Sequence, residues 1–252
     1  MNEILQVAML AGQIILENGG ETYRVEETVW RICKTFGADV ADCYVTPTGI
    51  IASISHGNEV YSLTKRIVNR TVDLSKIDGV NDLSRNILSR NLTVEDLKKE
   101  LLELDKGTRY SSLTTLFFSA LGAGGCTALF NGTLKDMFCA FLIGLLIRLI
   151  TTKGNKLKLN FFFINSIAGA VTAFLAIVLF KLGIASDIDA TIIGSIMLLV
   201  PGLAITNAIR DTIAGDLISG LSRACEAILI AISIAVGTGS VLSLWMSQMG
   251  GM

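Results

Sequence analysis

The chain has 252 residues and a formal net charge of −1, and 51% of its residues are hydrophobic. Its mean hydropathy of +0.60 is too high for an ordinary soluble domain, and its near-neutral charge argues against a nucleic-acid-binding protein. Most of the charged residues precede Tyr110. The sequence therefore predicts a cytosolic α+β domain over residues 1–109 and an all-α transmembrane bundle over residues 110–252.

The first segments of the chain predict helices followed by a small sheet. Residues 1–18 lack a basic start and carry Glu3 within an apolar pattern, so no secretory signal peptide is expected. Apolar residues recur at helical spacing, and then alternation with a period of two predicts antiparallel strands. The predicted helices cover residues 4–15, 25–36 and 74–91, with a fourth opened by a Thr93–Asp96 capping box, and the strands cover residues 40–45, 50–55 and 59–66.

The membrane half contains five candidate spans, at about residues 112–130, 134–150, 161–182, 190–209 and 224–246. Threading these spans through a membrane puts eight basic residues on one side: Lys106, Arg109, Arg148, Lys153, Lys156, Lys158, Arg210 and Arg223. Only Lys135 and Lys181 fall on the other side. Because basic residues favour the cytosolic side, the bias predicts a cytosolic N-terminus and an outer C-terminus in the plasma membrane.

A polar stretch over residues 200–223 separates the last two predicted spans. Pro201 removes a backbone donor and Gly202 loosens the chain, which predicts a helix break. Asn207, Arg210 and Asp211 follow at a spacing that places them on one helical face. Ionisable groups at membrane depth are often functional, although charges that merely flank two spans would look the same.

The same spacing recurs in Asp216 and Arg223, and Glu226 opens the last predicted span. Asp211 follows Arg210 directly and Asp216 precedes Arg223 by two helical turns, so we expect each carboxylate to stay ionised beside its neighbouring arginine. These residues form a candidate substrate or proton site. Glu226 has an alternative role as a side chain that reaches the membrane surface.

Three separated groups of residues resemble the threonine/serine exporter family. The first group is LENGGETYRVE at residues 16–26, and the second is VTPTG at residues 45–49. The third consists of VPG at residues 200–202, RD at residues 210–211 and GD at residues 215–216. The resemblance implies a cytosolic domain plus five spans that form the first half of a secondary exporter. It also implies the split form of the family, whose second half is a separate, smaller membrane subunit. Relatives of that form are linked to succinate as well as to amino acids.

The polar residues suit the solutes that this resemblance implies. Arg210 and Arg223 can receive a carboxylate, Asp211 and Asp216 can receive an ammonium group or a coupling proton, and Asn207 can orient either. Tyr23 and Arg24 are candidates for gating the inner mouth of the transporter, and contacts within the folded domain explain this pair equally well. The sequence contains no GxxxxGK[ST] motif, which favours a gradient over ATP as the energy source.

Two other function classes remain open from the sequence. A non-transporting sensor or assembly module would bind its ligand in the cytosolic domain and use its spans only as anchors. An intramembrane enzyme is disfavoured because no paired nucleophile and base is visible. No cofactor or metal is predicted, since the five cysteines are scattered singly and His56 is the only histidine. The expected partners are a small-molecule substrate, the lipid bilayer and the second-half subunit, in an oligomer.

Overall fold

The computed structural model describes residues 1–107 and 110–249, which form two compact units. The first unit contains residues 1–107 and 202–225, and the second contains residues 110–201 and 226–249. In chain order the described elements are α1 (Asn2–Glu17), α2 (Thr22–Thr35), β1 (Val40–Thr46), β2 (Gly49–His56), β3 (Glu59–Arg66), α3 (Leu74–Arg85), α4 (Val94–Lys106), α5 (Ser112–Leu129), α6 (Leu134–Lys156), α7 (Phe161–Lys181), α8 (Ile188–Ile196), α9 (Gly202–Ala214) and α10 (Leu217–Met249).

The core of the first unit is built around α1. This helix packs against α2, α3, α4 and two strands of the sheet, and Leu5, Ile14 and Ile15 are almost completely buried. The sheet is antiparallel in the order β1-β2-β3, with Val45 opposite Ile50. Apolar residues alternate along the strands because one face of the sheet covers this core. The predicted mixture of helices and a small antiparallel sheet is confirmed.

The structure ends α3 earlier than the sequence pattern predicts. Helix α3 stops at Arg85, whereas the prediction continued to residue 91. The Asn86 side chain donates a hydrogen bond to the carbonyl of Asp82, and Asn91 has a positive φ of 49°. Asparagine favours such local bonds and left-handed backbone over a continued helix, which explains the early end. The capping box of Thr93 and Asp96 at the start of α4 is confirmed.

Side-chain caps and one buried carboxylate organise the second unit. Ser111, Thr133, Asn160 and Asp187 each accept a backbone N–H at the start of their helix. The Asp136 carboxylate is fully buried and completes a capping box with Thr133. Its second oxygen accepts the N–H groups of Ser186 and Asp187, at 2.6 and 2.9 Å. This carboxylate therefore ties the start of α6 to the loop before α8.

Three helices within the described residues are long and apolar enough to cross a membrane by length and composition, namely α5, α7 and α10. Helix α6 covers the second predicted span and carries charged residues at both ends. The fourth predicted span, at residues 190–209, is not one helix, because α8 ends at Ile196 and α9 begins at Gly202. Pro201 has no N–H to continue a helical ladder, and residues 197–201 are not helical.

Candidate functional site

Most of the polar residues singled out in the sequence meet the turn between α1 and α2, inside the first unit. We define the polar cluster as Glu21 and Thr22 together with Asn207, Arg210, Asp211, Asp216 and Arg223. Two sequence motifs that lie far apart along the chain thus form one site. Glu226 lies further along α10, in the second unit, and is half-buried.

A Gly-Gly turn supplies two backbone acceptors to the polar cluster. Gly19 adopts a φ of +94°, which favours glycine, and a Cβ on Gly20 would lie 2.3 Å from a side-chain atom of Ile15. The turn therefore has room for hydrogen atoms only. Asn207 donates its amide to the carbonyl of Gly19 at 2.8 Å, and Arg223 donates Nη2 to the carbonyl of Gly20 at 2.7 Å.

Asp211 and Arg223 form a buried ion pair at the centre of the polar cluster. The Asp211 side chain is 0% exposed and the Arg223 side chain 8%, and 2.9 Å separates Oδ2 of Asp211 from Nε of Arg223 in an ionic contact. The other carboxylate oxygen of Asp211 accepts both the backbone N–H and the hydroxyl of Thr22, at 3.3 and 2.9 Å. A buried charge is tolerated only when it is paired and hydrogen-bonded, and Asp211 meets both conditions.

Glu21 carries the second group of charges in the polar cluster. Its buried carboxylate accepts a hydrogen bond from Nη1 of Arg210 and another from Nε of Arg24, the latter at 2.9 Å. Burial alone raises the pKa of the Glu21 carboxyl, but a backbone N–H and the two arginines outweigh it and hold that pKa below its ordinary value. Arg24 also lies over the ring of Tyr23, so both gating candidates belong to this surface of α2.

The charge pairs differ from those expected from sequence neighbours. Arg210 pairs with Glu21, not with the adjacent Asp211, and Arg223 pairs with Asp211, not with Asp216. Consecutive residues on a helix point about 100° apart, so Asp211 faces the core of the unit while Arg210 stays about half exposed. Spacing along one helix does not identify a partner on another helix.

Asp216 lies at the edge of the polar cluster, in the turn between α9 and α10. Gly215 precedes it with a φ of +98°, and the Asp216 side chain is half-buried. One of its carboxylate oxygens is 3.1 Å from the hydroxyl of Thr22. Thr22 therefore stands between the carboxylates of Asp211 and Asp216.

Glu26 lies on α2, one turn beyond Thr22, and connects α2 to strand β1. Its Oε1 accepts the backbone N–H of Val45 at 3.1 Å, and the carbonyl of Val45 accepts the hydroxyl of Ser219 from α10 at 3.2 Å. Burial raises the pKa of the Glu26 carboxyl, and the nearby charges of Asp216 and Asp211 raise it further against the Val45 N–H.

The sequence pointed to α9 and the start of α10 but gave no role to Glu21, Thr22 or Glu26. All three fall within the run at residues 16–26 that carries the family resemblance. That run was the available signal, because no periodicity or spacing connects it to residues some 190 positions away. Within the described residues, no group of three His, Cys, Asp or Glu side chains is placed to hold a metal ion. The cluster instead offers arginines for anions and carboxylates for cations or protons.

Comparison with known proteins identifies the family of the chain. Residues 6–245 match the family model described as "Putative threonine/serine exporter". The "Probable succinate transporter subunit YjjP" of Klebsiella aerogenes is 22% identical over 244 residues, covering 92% of this chain and 90% of that protein. Its Escherichia coli counterpart of the same name is 20% identical over 250 residues, covering 96% of this chain and 94% of that protein.

A longer relative extends beyond the matched region. The "Probable threonine/serine exporter" of Mycobacterium tuberculosis is 24% identical over 241 residues, which are 93% of this chain but 45% of that protein. No solved structure matches the chain. Because the family model spans nearly the whole sequence, including both halves of the polar cluster, the chain belongs to the threonine/serine exporter family of membrane transporters.

Proposed function

We propose that the chain is a subunit of a secondary exporter that moves small carboxylate-bearing solutes out of the cytosol. The solutes are amino acids of the threonine/serine type or a dicarboxylate such as succinate. The family match over residues 6–245 carries this proposal, and the names of the relatives supply the two solute classes. A gradient drives the transport, in keeping with the lack of a GxxxxGK[ST] motif in the sequence.

The candidate residues divide into two roles in this proposal. Asp211 and Arg223, with Asn207, hold the polar cluster together, because they are buried and bonded to one another or to the glycine turn. Arg210, Asp216 and Glu226 are the residues offered to the solute or to a coupling proton, since each keeps an exposed or half-buried side chain. Tyr23 and Arg24 gate the approach to Arg210, because Arg24 lies over the ring of Tyr23 and shares the carboxylate of Glu21 with Arg210.

The proposed topology places a cytosolic domain at residues 1–109 and five crossings in residues 110–252 of a plasma-membrane protein. The N-terminus is cytosolic and the C-terminus is outside, as the eight-to-two bias of basic residues favours. The fourth proposed crossing, at residues 190–209, is not one helix, because α8 ends at Ile196 and α9, which belongs to the first unit, begins at Gly202. Discontinuous helices of this kind commonly line solute pathways in secondary transporters.

A smaller membrane subunit completes the proposed exporter. The two relatives that match this chain over most of their length are named as subunits, and the Mycobacterium tuberculosis relative contains as much sequence again outside the matched region. We expect the two chains to associate tightly and to work only together.

The test is efflux of radiolabelled threonine, serine or succinate from loaded vesicles containing this chain, its partner subunit, or both. Efflux is expected only when both chains are present. Full efflux from the chain alone would overturn the need for a partner. If the pair moves none of these solutes while residues 1–109 bind one of them, the chain is a sensor and not an exporter.

A further inference from the structure

The polar cluster and the adjacent Glu26 together hold more carboxylates than arginines. Arg210 and Arg24 both bind Glu21. Arg223 contacts the buried Asp211, while Asp216 at the edge of the cluster and Glu26 beside it add two further carboxylates. Carboxylates held this close repel one another when all are ionised, and a bound proton relieves the repulsion.

Thr22 cannot donate a full hydrogen bond to both aspartates at once. Its hydroxyl has one hydrogen atom but lies within bonding distance of two carboxylate oxygens, 2.9 Å from Asp211 and 3.1 Å from Asp216. The buried Asp211 already has Arg223 as its ionic partner, at 2.9 Å. Glu26, whose Oε1 accepts the N–H of Val45, adds a third carboxylate whose charge acts on both aspartates.

Glu26 also binds the backbone of Val45, which connects residues 1–107 to residues 202–225 within the first unit. It accepts the N–H of Val45, and the carbonyl of that residue accepts Ser219 of α10. The contacts run from α2 through the edge of β1 to the segment at residues 202–223. A change in the charge of Glu26 thus alters its electrostatic interaction with Asp216 directly. It also reaches Ser219 through the hydrogen bonds of Val45.

We propose that Glu26 is a proton-operated switch that regulates the attachment of residues 202–223 to the N-terminal α2 and β1. A protonated Glu26 keeps this segment docked, and an ionised Glu26 loosens it by repelling Asp216 and Asp211. Another titratable group that faces Glu26 is the thiol of Cys43 on β1. The remaining charges of the polar cluster are paired: Arg223 on α10 with Asp211, and Arg210 on α9 with Glu21 at the N-cap of α2. The switch rests on the proposed export function, whose polar cluster it would control.

The raised pKa of Glu26 gives the direction of this coupling. A carboxyl whose pKa in the docked state lies above the ordinary value of 4.5 binds its proton more tightly there than when released. By reciprocity, proton binding favours docking. The stabilisation is fully present below about pH 4.5 and is lost as the pH rises through the pKa of the docked state.

Glu26→Gln is the informative variant because its amide oxygen can still accept the Val45 N–H while the charge is removed. Glu27→Gln is the matched control, since Glu27 is the next residue, is exposed and pairs only within α2 with Arg31 in the described contacts. Both variants remove one negative charge from the same helix. Only Glu26→Gln removes a negative charge from a position beside the polar cluster.

The experiment follows hydrogen–deuterium exchange of residues 40–46 and 207–223 in the purified, detergent-solubilised full chain between pH 5 and pH 8. After correction for intrinsic exchange, wild type should lose protection as the pH rises, by up to about tenfold for each unit by which docking raises the pKa of Glu26. Glu26→Gln should keep its protection, and Glu27→Gln should follow wild type. Equal behaviour of Glu26→Gln and wild type would overturn the switch, as would a change shared by both variants.

A second measurement separates the switch from transport. The melting temperature of Glu26→Gln should match that of wild type near pH 4.5, exceed it as the pH rises through the pKa of Glu26 in the docked state, and keep a constant excess above that pKa. Neither measurement requires solute movement. If the vesicles show no efflux but the exchange and melting results are as expected, the exporter is contradicted and the switch is supported. If efflux occurs but docking does not depend on pH, the exporter is supported and the switch is contradicted.

Discussion

At the scale of single residues, the polar cluster depends on a charge pair that the sequence could not assign. Asp211 and Arg223 are both buried, and the pair is tied to the chain by Thr22 and by the carbonyl of Gly20. Such a pair contributes little net stability compared with an apolar replacement, but the removal of one member leaves the other charge buried without its oppositely charged partner in this pair. The two aspartates of the cluster should therefore respond differently to neutralisation.

We expect Asp211→Asn to lower the free energy of unfolding by about 3–5 kcal/mol, because the Arg223 charge then stays buried without its partner. Asp216→Asn should cost about 1 kcal/mol or less, since this half-buried side chain loses only a contact with Thr22. Thermal unfolding of the solubilised proteins measures both. The Asp211→Asn/Arg223→Met double variant should lose less stability than the sum of the two single variants. An Asp211→Asn protein as stable as wild type would refute the structural role of this pair.

At the scale of helices, small residues allow the helices of the second unit to approach closely. A Cβ on Gly144 of α6 would lie 2.9 Å from the Cβ of Ala123 and 3.0 Å from the Cα of Ala120, on α5. A Cβ on Gly169 of α7 would lie 2.9 Å from the backbone oxygen of Ile234 on α10. Without a hydrophobic driving force between helices in lipid, such close packing is a main source of association.

The α5–α6 contact predicts opposite effects for two glycine-to-alanine changes. Gly144→Ala should destabilise the protein by about 1–3 kcal/mol, because its methyl group meets backbone and Cβ atoms that cannot move freely. Gly125→Ala on α5 should be neutral or stabilise by up to about 1 kcal/mol, since nothing lies within 4 Å of that position and alanine favours helix. Melting temperatures in detergent provide the test. Equal effects at both positions would show that helix approach does not depend on Gly144.

At the scale of the whole chain, the compact units do not follow the order of the sequence. Residues 202–225 belong to the same unit as residues 1–107, although helices α5, α6, α7 and α8 lie between them in sequence. The family resemblance likewise joins motifs from both parts of the chain. A substitution in α9 is therefore expected to act on the N-terminal domain.

The proposed topology predicts where single cysteines react in intact cells. In a background in which the five native cysteines are replaced, Asp189→Cys and Ser247→Cys should react with a membrane-impermeant maleimide, because both lie outside. Asn155→Cys should react only after the membrane is opened. Protection of Asp189→Cys and Ser247→Cys in intact cells would show that the number or direction of the crossings differs.

The sequence by itself determined the local elements of this protein and its family. Alternating and helical periodicities gave the three strands and the first helices, and the capping box of Thr93 gave the start of α4, because these signals act over a few residues. Separated motifs identified the family across nearly the entire chain. The end of α3 was not predicted correctly, since it depends on competition between local bonds and a continued apolar pattern. Residues 190–209 were predicted as one span, but they form two helices, α8 and α9, which are separated at Pro201, where the sequence predicts a break.

Only the tertiary structure decided which charges meet. Asp211 has polar neighbours along its own helix, yet its carboxylate accepts a hydrogen bond from Thr22 and forms an ion pair with Arg223, while the adjacent Arg210 pairs with Glu21. A helix fixes the direction in which a side chain points, but the partner it reaches depends on how distant segments pack. The role of Glu26 follows from the same cause, because its neighbours Val45 and Asp216 come from a strand and from a turn remote in sequence.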